Sequence, residues 1–119
     1  MRPARAACLL ALAGCKDYGL TKFNATPFAE ITSHRAGDAA LDVPEGATIT
    51  FEGRISDPDD DAETLVARWR LNGAVVCGPD AAGPDGGTAC TLSLAVGDEE
   101  LILEATDPGG KCGVASLPL

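Results

Sequence analysis

The sequence predicts an all-β fold, a seven-stranded antiparallel β-sandwich spanning residues 27–119. Three observations carry that expectation. Apolar and polar residues alternate at period two in several short stretches, the pattern of strands with one face buried. The chain has 14 Gly and eight Pro, and most of those in the second half fall between such stretches, where turns belong. Hydrophobic residues make up 45 % of the chain but aromatics only 4 %, which suits small core residues on short strands and not a long helical bundle. A length of 119 residues allows one domain.

Residues 1–14 read as an address and not as part of that fold. Met1-Arg2-Pro3-Ala4-Arg5 is cationic, an apolar run of eight residues from Ala6 to Ala13 follows, and small residues close it, the layout of a secretory signal peptide. A membrane-spanning helix needs about 20 apolar residues, so the run is too short to cross hydrocarbon. Its end, Leu12-Ala13-Gly14-Cys15, resembles the bacterial lipobox. The resemblance implies diacylglycerol on the Cys15 thiol, cleavage just before that residue and acylation of the new amino terminus. Three acyl chains, at about 0.8 kcal/mol per buried methylene, hold a protein on a bilayer where a single chain does not. Lys16, and not Asp, follows the cysteine, which by the same resemblance implies the outer membrane or cell surface of a Gram-negative bacterium.

Charge follows from that processing. The whole chain carries nine basic and 18 acidic residues, net −9. Cleavage removes Arg2 and Arg5 and no acid, leaving seven basic residues against 18 acidic ones and a net charge of −11. Such a chain is not expected to bind nucleic acid or an acidic membrane surface by counter-charge. Residues 15–26, the lipidated cysteine and a stretch without hydrophobic period, read as a short tether. Asn24-Ala25-Thr26 fits the N-glycosylation pattern but, beside a bacterial lipobox, reads as a turn.

Within the domain the strands follow in order. Ala29 and Ile31 alternate with Glu30 and Thr32. Residues 47–56 alternate again, with Ile49, Phe51, Gly53 and Ile55 on one face. Residues 66–71 turn Ala67, Trp69 and Leu71 inward and Arg68 and Arg70 outward. Asn72-Gly73 supplies the positive φ angles of a tight hairpin, from which residues 74–77 return. A loose Gly/Pro/Asp stretch is expected over residues 78–88, then a strand carrying Cys90, Leu92 and Leu94, then a turn at Gly97-Asp98. Residues 101–106 and 113–119 complete the set, separated by Asp107-Pro108-Gly109-Gly110. Seven short strands at this spacing are the count of an immunoglobulin-like sandwich.

Four segments in this order resemble the PKD-type and related bacterial Ig-like repeats. They are Gly46-Ala47-Thr48-Ile49-Thr50-Phe51, then Ser56-Asp57-Pro58-Asp59, then Trp69, then residues 101–110 with Asp107-Pro108-Gly109-Gly110 at their end. The resemblance covers residues 27–119. It implies a seven-stranded sandwich on a secreted or surface protein, used for adhesion, for binding proteins or glycans, or as a spacer. The chain departs from the family in carrying one copy and stopping directly after the last strand, for which a truncated gene or fragment is one reading and surface presentation by one module the simpler one.

Cys8 leaves with the signal and Cys15 carries lipid, so Cys77, Cys90 and Cys112 remain in an oxidising compartment. Cys77 ends one strand and Cys90 begins another, and a bridge between them is expected. That leaves Cys112 over, as a thiol or bridged between molecules. A zinc site is not expected, since no C-x-x-C pair is present.

The constellation with chemical potential is acidic. Asp57-Pro58-Asp59-Asp60-Asp61-Ala62-Glu63 holds five carboxylates in seven residues. Carboxylates at alternate positions of a turn can converge on calcium, and in such a sandwich the loop holding Asp107 lies at the same end. The candidate ligands are therefore Asp57, Asp59, Asp61 and Asp107, set against a plain solvated turn. An EF-hand is excluded, because Ala62 and Arg68 stand where its glycine and terminal glutamate belong. His34, the single imidazole, falls in a loop and reads as solvated, and Trp69 reads as core. The expectation is a lipid-anchored surface module that binds a protein or glycan and does not catalyse. An accessory subunit of a larger envelope complex is the alternative, and a hydrolase a distant third.

Overall fold

The computed structural model describes residues 24–44, 46–95, 97–98 and 100–119. The expected signal peptide, the lipobox with Cys15, and the tether as far as residue 23 lie outside the described residues. Seven strands form: β1 (Phe28–Ile31), β2 (Thr48–Ser56), β3 (Val66–Leu71), β4 (Ala74–Ala81), β5 (Gly87–Ser93), β6 (Glu100–Thr106) and β7 (Cys112–Pro118). Two single 3-10 turns, Ala39–Leu41 and Ala62–Thr64, interrupt the connections.

The strands make two antiparallel sheets, β1-β2-β5 and β4-β3-β6-β7, and the chain passes between them as in an immunoglobulin-like Greek key. Inward alternation on both sheets builds one core between them. Phe51 and Ile55 from β2 meet Trp69 from β3 and Leu101 and Leu103 from β6, all fully buried. Gly53 belongs to the same face. A Cβ there would stand 2.5 Å from Leu103 Cδ2 and 2.9 Å from the Glu30 carbonyl oxygen, so a hydrogen is all the space allows. The Trp69 indole, buried among apolar neighbours, satisfies its one donor by giving Nε1–H to Thr88 Oγ1 at 3.0 Å.

Asn72 (φ 52°) and Gly73 (φ 90°) form the tight β3–β4 hairpin. The returning strand is longer than its alternation suggests. β4 continues through Ala81 and β5 starts at Gly87, so much of the stretch expected to be loose is paired. Ala67 pairs with Asp80 and Val66 with Ala81, with a register shift at Trp69 that absorbs Gly78 and Pro79 as a bulge. At Gly78 (φ 91°) a Cβ would lie 2.5 Å from the Ala67 carbonyl oxygen, which explains the glycine.

Cys77 and Cys90 are bridged, with their Cα atoms 5.9 Å apart. The bond joins β4 of one sheet to β5 of the other. Cys112 is also disulfide-bonded, which corrects the expectation that it would be left as a thiol or bridged between molecules. With Cys77 and Cys90 joined, the remaining cysteines of the chain, Cys8 and Cys15, both lie outside the described residues.

Arg68 and Arg70 alternate outward, yet Arg70 is buried. Across the strand pair, Glu104 accepts from Arg70 Nη2 at 3.0 Å and from Arg68 Nη1 at 3.4 Å. A carboxylate with little exposure needs such compensation.

Candidate metal centre at the acidic end

One end of the sandwich gathers the residues that leave β2 and β6. Asp57 follows the last residue of β2 and Asp107 the last residue of β6, so each sheet delivers one aspartate to the same end. The segment after Asp57 is turned by its own side chain, the Asp59 N–H donating to Asp57 Oδ1 at 2.8 Å. That turn brings Asp60 back toward Asp57. One carboxylate oxygen from each of Asp57, Asp60 and Asp107 lies within 4.8 Å of the others.

Asp107 is 4 % exposed. Its Oδ1 accepts the Lys111 N–H at 2.8 Å, its N–H donates to the Lys111 carbonyl at 3.0 Å, and its carbonyl accepts the Gly110 N–H at 3.0 Å, a turn that holds the carboxyl rigidly. Its Oδ2 is buried and has no hydrogen-bond partner, and the same is true of Asp57 Oδ2. Each bare oxygen therefore belongs to a carboxylate whose other oxygen is fixed by a backbone N–H. Buried unpartnered polar atoms cost about 1–3 kcal/mol apiece. Carboxylate charges within 4.8 Å of one another repel by at least roughly 3 kcal/mol at an effective dielectric of about 20. A hard divalent cation answers both costs at once, and three carboxylates supply between three and six of the roughly six to eight oxygens that calcium takes.

Of the four ligands expected from the sequence, the structure brings Asp57 and Asp107 together and uses the other two elsewhere. Asp59 Oδ2 accepts the Ala25 N–H at 2.6 Å. Asp61 is exposed and precedes the Ala62–Thr64 turn, where its carbonyl accepts from Thr64 N at 2.9 Å and Thr64 Oγ1 at 2.7 Å. Asp60 takes the third place. Alternate spacing assumed an extended loop, and the Asp57 side-chain turn changes the phase by one residue. Asn24, Ala25 and Lys111 also border this end, and nothing in their spacing marks them.

His34 packs on Phe51, ring centroids 4.9 Å apart, and its Nδ1 lies 2.7 Å from Ser33 Oγ. His34, expected to be a solvated loop residue, is instead half-buried against the core ring of Phe51. The hydroxyl also accepts the Glu52 N–H at 2.8 Å, which fastens the segment after β1 to β2.

The fold and this end together define an all-β sandwich with a metal-competent acidic cap. No protein-family model matches the chain, and no curated protein matches it.

Proposed function

We propose that the chain is a lipid-anchored protein of the cell envelope, at the outer membrane or surface of a Gram-negative bacterium. It presents a single immunoglobulin-like module of the PKD type for adhesion or for binding a protein or glycan, is not an enzyme, and uses calcium to stabilise its acidic end. The observation that carries the reading is a sandwich whose interior is filled by core side chains, with its polar chemistry concentrated at the end where Asp57, Asp60 and Asp107 meet. The lipobox-like Leu12-Ala13-Gly14-Cys15 supplies the anchor.

A protein partner is favoured over a glycan. Among the described residues Phe28 is the one exposed aromatic, whereas Val75, Val76 and Val114 are exposed on β4 and β7, the two outer strands of the four-stranded sheet. Sugar stacking needs aromatic faces, and a protein contact is served by apolar side chains beside a strand edge. The same valines favour the second reading, an accessory lipoprotein subunit of a larger envelope complex.

Cysteine chemistry provides the test. Cleavage before Cys15 removes Cys8, and acylation consumes the Cys15 sulfur, so the proposed lipid anchor and the disulfide that the structure gives Cys112 exclude each other. Peptide mass spectrometry of the membrane fraction, without reduction, is expected to find Cys15 as the acylated first residue. A Cys15 peptide without acyl chains, or linked to Cys112, overturns the anchor.

A further inference from the structure

The acidic end is also where the chain enters the domain, and the hydrogen bonds there form a ring with one opening. Starting at the tether, the Ala25 N–H donates to Asp59 Oδ2 at 2.6 Å, and the Asp59 N–H donates to Asp57 Oδ1 at 2.8 Å. From the other side, Lys111 Nζ donates to the Asn24 carbonyl oxygen, and the Lys111 N–H donates to Asp107 Oδ1 at 2.8 Å. Asn24 and Ala25 are neighbours in the chain, so the two arms start from adjacent residues. Both arms finish on carboxylates whose second oxygens, Asp57 Oδ2 and Asp107 Oδ2, are buried without a partner, and one carboxylate oxygen of each residue lies in the cluster completed by Asp60.

We propose that a calcium ion bound by Asp57, Asp60 and Asp107 closes this ring and clamps the tether junction at Asn24 and Ala25 onto the sandwich. The inference rests on the calcium reading given above and adds a consequence to it. Without the ion, the two bare carboxylates repel, and the arms that hold residues 24 and 25 end on groups that push apart. With the ion, Asp57 and Asp107 are drawn together across the two sheets, and the acceptors that hold the Ala25 N–H and the Lys111 side chain are fixed in place. The module's orientation relative to its anchor then depends on calcium. The Asn24–Ala25 junction becomes a defined exit.

The experiment uses the full chain in detergent, with calcium chloride added to chelator-treated protein. Two readouts are taken, the thermal midpoint and hydrogen exchange at the Ala25 amide. Millimolar calcium is expected to raise the midpoint by several degrees, since a ligand that binds only the folded state must do so, and to slow Ala25 exchange about tenfold or more. Asp57→Asn is expected to lose both responses, and Glu63→Gln, a charge control outside the cluster, to keep both. Asp59→Ala is expected to keep the thermal response while Ala25 exchange stays fast in calcium. A midpoint that ignores calcium in the wild-type chain defeats the metal site and the clamp together. A midpoint that rises while Ala25 exchange does not change defeats the clamp and leaves the metal site standing. Equal responses to magnesium overturn the choice of calcium, because magnesium demands a tighter octahedral set that three fixed carboxylates do not present.

Discussion

Single atoms decide much at the residue scale. Gly53 lies on the inner face of β2, and a methyl group there meets Leu103 Cδ2 of the facing sheet and the Glu30 carbonyl oxygen of β1. Gly53→Ala is expected to cost about 1–3 kcal/mol through overpacking, read as a lower midpoint in urea with unchanged slope. Asp57 behaves in the opposite sense when calcium is absent. Asp57→Asn keeps the Oδ1 that accepts the Asp59 N–H and replaces a bare oxygen with a donor beside Asp107. In chelator the variant is therefore expected to melt a few degrees above wild type, and in calcium below it. A variant that melts lower in both conditions would mean that the carboxylates are not in conflict.

At the scale of elements, the two sheets are tied most directly by Cys77 and Cys90, which connect β4 to β5 across a separation of 13 residues. Closing a loop of that length stabilises by about 3 kcal/mol on the chain-entropy model. Cys77→Ala with Cys90→Ala is expected to lose about that much in denaturant unfolding, and a loss below about 1 kcal/mol would show that core packing alone holds the sheets. The β3–β4 hairpin was legible because Asn72-Gly73 can adopt two successive positive φ angles at little cost. The second half of β4 was not legible. Gly78 and Pro79 are turn residues by composition, and only the partner strand, offering Val66 and Ala67 as pairing positions past a bulge, keeps the segment in the sheet. The strand's edge position tolerates the proline.

The whole molecule is a two-sheet sandwich with the Asp57, Asp60 and Asp107 cluster at the end bordered by Asn24 and Ala25. If Cys15 carries lipid, Cys15→Ser is expected to move the protein out of the membrane fraction and leave the melting point of the domain unchanged. A melting point that falls instead would mean that the Cys15 sulfur serves the fold. Among the described residues no helix is long and apolar enough to cross a membrane.

The sequence by itself determined the class of fold, the inward faces of β2, β3 and β6, the tight hairpin and the Cys77–Cys90 bridge. All of these follow from local period, turn chemistry or cysteine placement, and each is expressed within a few residues. Tertiary structure decided which carboxylates meet, because convergence of Asp57 and Asp107 requires two strands from different sheets to end at one place. It also decided that Asp60, and neither Asp59 nor Asp61 as expected, joins Asp57 and Asp107, in a segment turned by the Asp57 side chain. Cys112 was misjudged for the same reason. Its bond depends on which distant sulfur the fold presents to it, and cysteine spacing carries no information about that.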